Sequence, residues 1–374
     1  VSGPFQPLRV SGEREPRRGR MAPALLLTAF LILAGGPWAA AQDKTEDKND
    51  SVGAFIDSRS FFINLELSGE ATKYREGRTI FGEFLTVGAV YKSSSHIRLA
   101  AGAFLGRTFG DGDDELEEAE FYGQFRYQPN QRFSLTFGNL DLDGHAFLDA
   151  LFDDTLRYEE RPTETGFEVF GAWRWLSGRA WINWQAINTE AQREKFDVGT
   201  LAKAQVGWTS LQAQFHWIHR GGQLFSAGEP VSDDLSLALG GELNLPLPWL
   251  ERAGLQAFWL HSHVIPDRAE EETLTGDGVL VGLFAEKWGF RLWGNAWVGK
   301  DFLTEDGDPF YRAPNHWTFG LTKVWWLTDW AAITAQVDGL VLDGSVYINE
   351  WLMVSLTPEI LREIKPPWRT SPKD

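Results

Sequence analysis

Between Asp234 and Leu245 the chain alternates. Leu235, Leu237, Leu239, Leu243 and Leu245 fall on one side of an extended backbone, and Asp234, Ser236, Glu242 and Asn244 on the other. Successive side chains of a strand point to opposite faces, so this pattern predicts a strand with one apolar and one polar face. Phe121, Phe125 and Tyr127 oppose Glu118, Glu120, Gln124 and Arg126 in the same way, and Val279, Val281, Leu283 and Ala285 oppose Gly282 and Glu286. Sixteen segments carry the form, bounded by Gly, Pro, Asn, Asp and Ser: about 61–69, 81–92, 96–107, 116–128, 132–143, 165–176, 179–188, 197–208, 210–220, 233–245, 253–263, 278–287, 289–300, 315–326, 329–339 and 345–356. Helical periodicity is scarce, and after the N-terminal region no run of eighteen apolar residues occurs, so no membrane-spanning helix is expected.

The connections alternate between long and short. Residues 70–80, 111–115, 144–164, 189–196, 221–232, 264–277 and 301–314 are long; 93–95, 129–131, 177–178, 209, 246–252, 287–289 and 327–328 are mostly tight, with 340–344 joining the last pair. Tight turns on one rim and long loops on the other are the layout of a transmembrane antiparallel β-barrel, with the turns periplasmic and the loops extracellular. The expected fold is therefore all-β, one barrel over 52–356, of sixteen strands, with fourteen or eighteen as neighbouring counts.

Composition sharpens this reading. Eighteen Trp are far more than a chain of this length ordinarily carries, and many sit at predicted strand ends (Trp173, Trp175, Trp208, Trp217, Trp288, Trp325, Trp330), where rings gather at the lipid headgroups. A net charge of −17 argues against nucleic acid as a partner, since phosphate binding requires a basic surface. Arg17, Arg18 and Arg20 precede Met21, an apolar run (24–34), the breakers Gly35-Gly36-Pro37 and the small residues Ala39-Ala40-Ala41. That is the order of a secretory signal peptide over 21–41, with 1–20 an over-extended gene start. Residues 42–51 read as a periplasmic leader and 357–374 as a polar tail. The absence of Cys suits an oxidising envelope, and the expected location is the bacterial outer membrane.

Over 52–356 the chain resembles the Gram-negative outer-membrane porin superfamily. The resemblance is carried by this architecture and by Glu117-Glu118-Ala119-Glu120-Phe121 through Phe133-Ser134-Leu135-Thr136-Phe137-Gly138-Asn139-Leu140-Asp141. Carbohydrate-selective, phosphate-selective and polysaccharide-export types share such paired strands, and the segment does not choose among them. The resemblance implies an integral barrel among outer-membrane lipids and lipopolysaccharide, passing small hydrophilic solutes or a polysaccharide, with a homotrimer as one assembly. One departure is that the chain does not end on a terminal aromatic.

The connection 144–164 holds six acids against Arg157 and Arg161. Within 145–154 the pairs Phe147/Leu151 and Leu148/Phe152 share one helical face, and Asp149 and Asp153 a neighbouring one. A short helix folded into the lumen would turn Asp149, Asp153, Asp154 and Arg157 to the pore as a constriction. Barrel alternation sends Glu118, Glu120, Arg126, Glu168, Arg174, Lys203, Glu242, Glu286 and Arg291 toward the lumen. With acids in the majority, the expected function is passive diffusion of small hydrophilic solutes, cation-preferring or tolerant of neutral sugars. A polysaccharide export pore and a non-conducting structural barrel are the alternatives. The acidic tips 111–115, 270–272 and 305–308 lack the spacing of a calcium loop, and His261 and His263 make a weak metal pair. With no Gly-x-Ser-x-Gly elbow and no Ser and His evident on one face of neighbouring strands, the expectation is that the chain is not an enzyme and carries no cofactor.

Overall fold

The computed structural model describes residues 50–93, 96–109, 118–226, 228–270 and 272–364. The signal peptide, the gene-start segment, most of the leader, the acidic tip 111–115 and the last ten residues lie outside them. The strands are β1 Asp50–Glu66, β2 Arg78–Ser93, β3 Ile97–Thr108, β4 Glu118–Asn130, β5 Phe133–Asn139 and β6 Thr165–Ala172. They continue as β7 Leu176–Ala186, β8 Glu194–Val206, β9 Thr209–Gly221, β10 Ser232–Asn244, β11 Arg252–Ile265 and β12 Leu274–Lys287. The chain closes with β13 Phe290–Lys300, β14 Asn315–Thr328, β15 Ala331–Leu342, β16 Ser345–Leu356 and β17 Glu359–Ile364.

From β1 to β16 each strand pairs antiparallel with its sequence neighbours, and β1 pairs with both β2 and β16, which closes the ring. β17 is the continuation of β16. Ser58 of β1 lies opposite Leu356 and Phe55 opposite Glu359, and the Ile56 N–H donates to the Pro358 carbonyl at 3.0 Å. Pro358 has no N–H to give the ladder, so the strand is interrupted there and resumes. Among the described residues the barrel thus has sixteen staves, the last built from two segments. Two ends differ from the sequence expectation: the first strand begins at Asp50, within the expected leader, and Glu359–Ile364 of the expected tail is strand.

Closure satisfies the backbone, because in hydrocarbon every N–H and C=O must pair within the protein. The outer face is apolar. Along β12, Val279, Val281 and Leu283 are about half exposed, at 46%, 49% and 56%, while Leu280 and Phe284 between them are buried on the inside. Trp173, Trp175, Trp208, Trp249, Trp288 and Trp330 stand exposed at the tight-turn rim. Two-residue turns at Trp288-Gly289 and Asp343-Gly344 place both residues at positive φ, the backbone twist that matches paired strands. Val281→Arg, which puts a charge on the middle of the lipid face, should lower unfolding stability by about 2–4 kcal/mol in urea titrations of vesicle-embedded protein.

Candidate pore and lumen site

A ring of sixteen strands is too wide for wall side chains to fill. Two connections enter the space. The β5–β6 connection (140–164) and the β13–β14 connection (301–314) leave the wall eight staves apart, at opposite points of the ring. They meet in the lumen, where Asp153 N–H donates to the Asp306 carbonyl and Asp308 N–H to the Asp149 carbonyl, both at 2.7 Å. Thr304 Oγ1 donates to the Ala150 carbonyl, and Arg161 grips the Asp306 carboxylate through both Nη atoms. Gly307 passes so close to the Ala150 carbonyl that a Cβ would lie 2.1 Å from it. The two loops form a bridge across the barrel.

Apolar contacts fix the bridge to the wall. Ala150, Leu151, Phe302 and Tyr311 of the two loops are buried with Phe258, Leu260, Leu280 and Trp297 from the inner face of β11–β13. On the other side Phe310 and Ala313 pack with Ala71 of the β1–β2 connection and with Leu340, Leu342 and Tyr347. Arg75 of that connection pairs with Asp153, whose other oxygen accepts from Thr155 N–H and Oγ1.

At the base of the long loop sits His145, fully buried. Its Nδ1 lies 2.5 Å from Glu164 and its Nε2 2.7 Å from Glu168 of β6, while Trp181 of β7 stacks on the ring at 3.8 Å and 3°. Trp181 reaches it by lying across Gly199, its cross-strand partner, where any side chain would collide with the indole. Two carboxylates can be satisfied together only by an imidazolium, which donates from both nitrogens. Burial alone would lower the His145 pKa, but the hydrogen bonds to Glu164 and Glu168 outweigh it and hold the group above its ordinary 6.5. Arg157 and Arg179 flank the pair of acids, Arg157 also donating to the His145 carbonyl at 2.9 Å.

The structure places the expected residues as follows. Asp153 is buried in the bridge, Arg157 joins Asp154, Glu164 and His145, and Asp149 and Asp154 line a cavity beside the bridge. Glu118 and Glu120 stand at the loop end of β4, Glu120 accepting from Thr163. Arg126 faces Asp141, and Glu168 holds His145 and Arg179. Lys203 is exposed on the inner face of β8 opposite Gln212, and Glu242, Glu286 and Arg291 form a chain of charges linked by Arg252 near the turn rim. Arg174 is a correction. It is exposed in the turn between β6 and β7, because the strand stops at Ala172 and the Trp173 N–H donates to the Leu176 carbonyl; Arg179 takes the position beside Glu168. The expected helix over 145–154 is also displaced: the α-helical turn is Leu156–Glu159, and 145–154 is irregular because its carbonyls and N–H groups bond to the facing loop and wall.

Cavities flank the bridge. A vestibule of about 580 Å³ is bounded by Lys92, Arg98, Arg126 and Gln128 toward the turn rim and by Arg157, Tyr158 and Glu164 of the loop. A lateral cavity of about 260 Å³ lies between the bridge and the inner face of β1 and β13–β16, and Tyr158 borders both. Asp149, Asp154, Asp308 and Asp338 face the lateral cavity.

The sequence reading missed three features. It took 305–308 for a surface tip, whereas Asp306 and Asp308 are bridge residues. It gave His145 no role, and a lone His between acids offered no spacing signal. It saw no Ser–His pair, yet Ser236 of β10 and His216 of β9 are register partners on the inner face, both buried, with Asp197 at 3.8 Å and Asp306 at 4.0 Å from His216 Nε2.

Sixteen antiparallel strands, a lipid-facing apolar band, aromatic rings at the turn rim and a charged lumen make this chain a porin-like β-barrel integral to the bacterial outer membrane. The lipid A 3′-O-deacylase-type family matches residues 44–323, and the chain belongs to that family. A search of curated proteins returns no match. The fold is similar to that of the anion-selective porin of Comamonas acidovorans (TM-score 0.52, 10% identity, covering 83% of this chain and 100% of that one). It is also similar to OmpT with loop L8 deleted, an outer membrane protein of Vibrio cholerae (TM-score 0.51, 11% identity, 83% and 100%). Family membership corrects the expectation that the chain is not an enzyme, since the family takes its name from one that removes an O-linked acyl group.

Two tests follow. Arg161→Ala leaves Asp306 buried without its partner and should cost about 3–5 kcal/mol, read as a lower temperature for the heat-induced gel shift of the folded barrel. The His145 latch should be fully in place below pH 6.5 and lost as pH rises through its raised pKa, because the charged form is the one the fold prefers. Trp181 emission and protease cleavage within 140–164 should both rise on that alkaline side, and Glu164→Gln should move the transition to lower pH.

Proposed function

We propose that the barrel is an aqueous channel for small hydrophilic solutes that favours cations. The observation that carries this reading is the charge beside the bridge: Asp149, Asp154, Asp308 and Asp338 line the lateral cavity, and the one Arg there, Arg75, is already paired with Asp153. Closely spaced carboxylates at the narrow part of an aqueous path raise the local cation concentration and repel anions. A bridge anchored to both walls favours small solutes over a polymer threading the lumen. In planar bilayers under a salt gradient, the mature chain should give steady steps with a cation-selective reversal potential. Combined Asp149→Asn and Asp154→Asn should move that potential toward zero; an unchanged value would place the two acids outside the conducting path.

A second reading has its own support. Family membership and the Ser236–His216–Asp197 grouping fit acyl-ester hydrolysis, with His216 as base for the Ser236 hydroxyl and Asp197 orienting the ring. Both side chains are buried, and His216 Nδ1 lies 3.2 Å from the Leu151 carbonyl of the 140–164 loop, so the reaction would require that loop to lift. Fatty acid released from lipid A by the wild-type barrel and lost in Ser236→Ala, with the gel shift unchanged, supports this reading; no release from wild type removes it.

A further inference from the structure

The lateral cavity has properties beyond negative charge. Asp149 has no ion-pair partner among the described residues, although its neighbours do: Asp153 holds Arg75 and Asp154 meets Arg157 at 3.7 Å. His316 of β14 lines the same space, is 2% exposed, and its Nδ1 has no hydrogen-bond partner. Asn349 of β16 gives its amide N–H to Asp338 at 2.9 Å, while its Oδ1, also against the cavity, is unpartnered. An unpaired buried polar atom costs free energy, and three of the few such atoms among the described side chains, these two and Trp351 Nε1, belong to residues that border this one space.

The rest of the lining is aromatic. Phe61, Tyr158, Trp293, Phe310, Tyr311 and Trp351 surround the carboxylates. Ring faces carry negative quadrupole density, and an assembly of rings with carboxylates suits a cation whose charge is spread over carbon-bearing groups. A bare divalent ion is a poor match, because among the described residues no three acids or histidines converge closely enough to coordinate one. The volume, about 260 Å³, admits a molecule of several heavy atoms and not only an ion with its water shell.

We propose that this cavity is a binding site for a small organic ammonium ion, held by Asp149 and its neighbouring carboxylates and enclosed by the aromatic rings. The proposal rests on the cation-favouring channel reading and gives it a solute class. Bound there, an ammonium group meets the unpartnered Asp149 carboxylate, the Asn349 carbonyl and the ring faces. Other charged groups facing it are Arg75 from the β1–β2 connection, Asp154 from the long loop, Asp308 from the opposite loop and Asp338 from β15.

The test uses the mature full-length barrel refolded in detergent. Choline, its uncharged isostere 3,3-dimethylbutan-1-ol, and potassium at matched ionic strength are titrated in turn, followed by calorimetry and by Trp emission, since Trp293 and Trp351 line the site. Choline should bind saturably and the alcohol at least about tenfold more weakly, the difference that one charge-assisted contact makes. Asp149→Asn and Asp154→Asn, each checked for folding by gel shift, should weaken choline by a similar factor, and Glu190→Gln in an exposed loop should leave it unchanged. If one Asp variant does not fold, the other decides. Equal binding of alcohol and choline, no saturable signal, or indifference to the Asp substitutions overturns the site. Choline binding without conductance keeps the site and removes the channel reading; cation-selective conductance without choline binding does the reverse.

Discussion

Lipid allows only structures that pair all their own backbone groups, and a ring of sixteen strands does so at the expense of an interior that wall side chains cannot fill. Much else in this molecule answers that constraint. The outward half of each alternation supplies the apolar band, and the inward half is left facing water. Where the lumen is closed, the closing material comes from two loops, whose apolar residues make a core inside the barrel against Phe258, Leu260 and Trp297. The arrangement is inverted relative to a soluble sandwich: leucines of β10 such as Leu239 and Leu243 lie outside, and the buried Ser236 and Ala238 lie inside.

Charge inside such a lumen has to be either paired or wetted. The bridge shows both solutions side by side. Arg161–Asp306, Arg75–Asp153 and His145 between Glu164 and Glu168 are paired, buried and structural. Asp149, Asp154 and Asp308 border the lateral cavity instead. Paired and cavity-facing acids are therefore interleaved along the two loops, a residue or a few apart, and what separates them is which oxygen meets which cation.

Sequence alone reached the class of fold because period-two alternation and the rhythm of long and short connections are local signals. Sixteen staves and the turn rim with Trp208, Trp288 and Trp330 follow from them. The ends of the barrel were less legible, since Pro358 looks like a terminator and acts only as an interruption. The site was partly legible: alternation put Glu168, Glu286 and Arg126 on the inner face, but Arg174 fell off a strand that stops sooner than its Trp residues suggest. The loop 140–164 was recognised as a segment that could fold inward, yet its helix was misplaced, because its conformation is set by residues 301–314. Nothing local in Glu305-Asp306-Gly307-Asp308 reports a partner half a barrel away. The Ser236–His216 pairing depended on strand register, and membership of a family named for an enzyme was invisible to arguments from periodicity.

The diametric origin of the bridge also bears on assembly. Arg161 and Asp306 are 145 positions apart in sequence, and β5–β6 and β13–β14 come within reach of each other only when the sheet has curled most of the way round. Once formed, the crossbar ties opposite walls of the ring to each other directly, so that a push on one side of the barrel is carried to the far side through the lumen and not only around the sixteen strands.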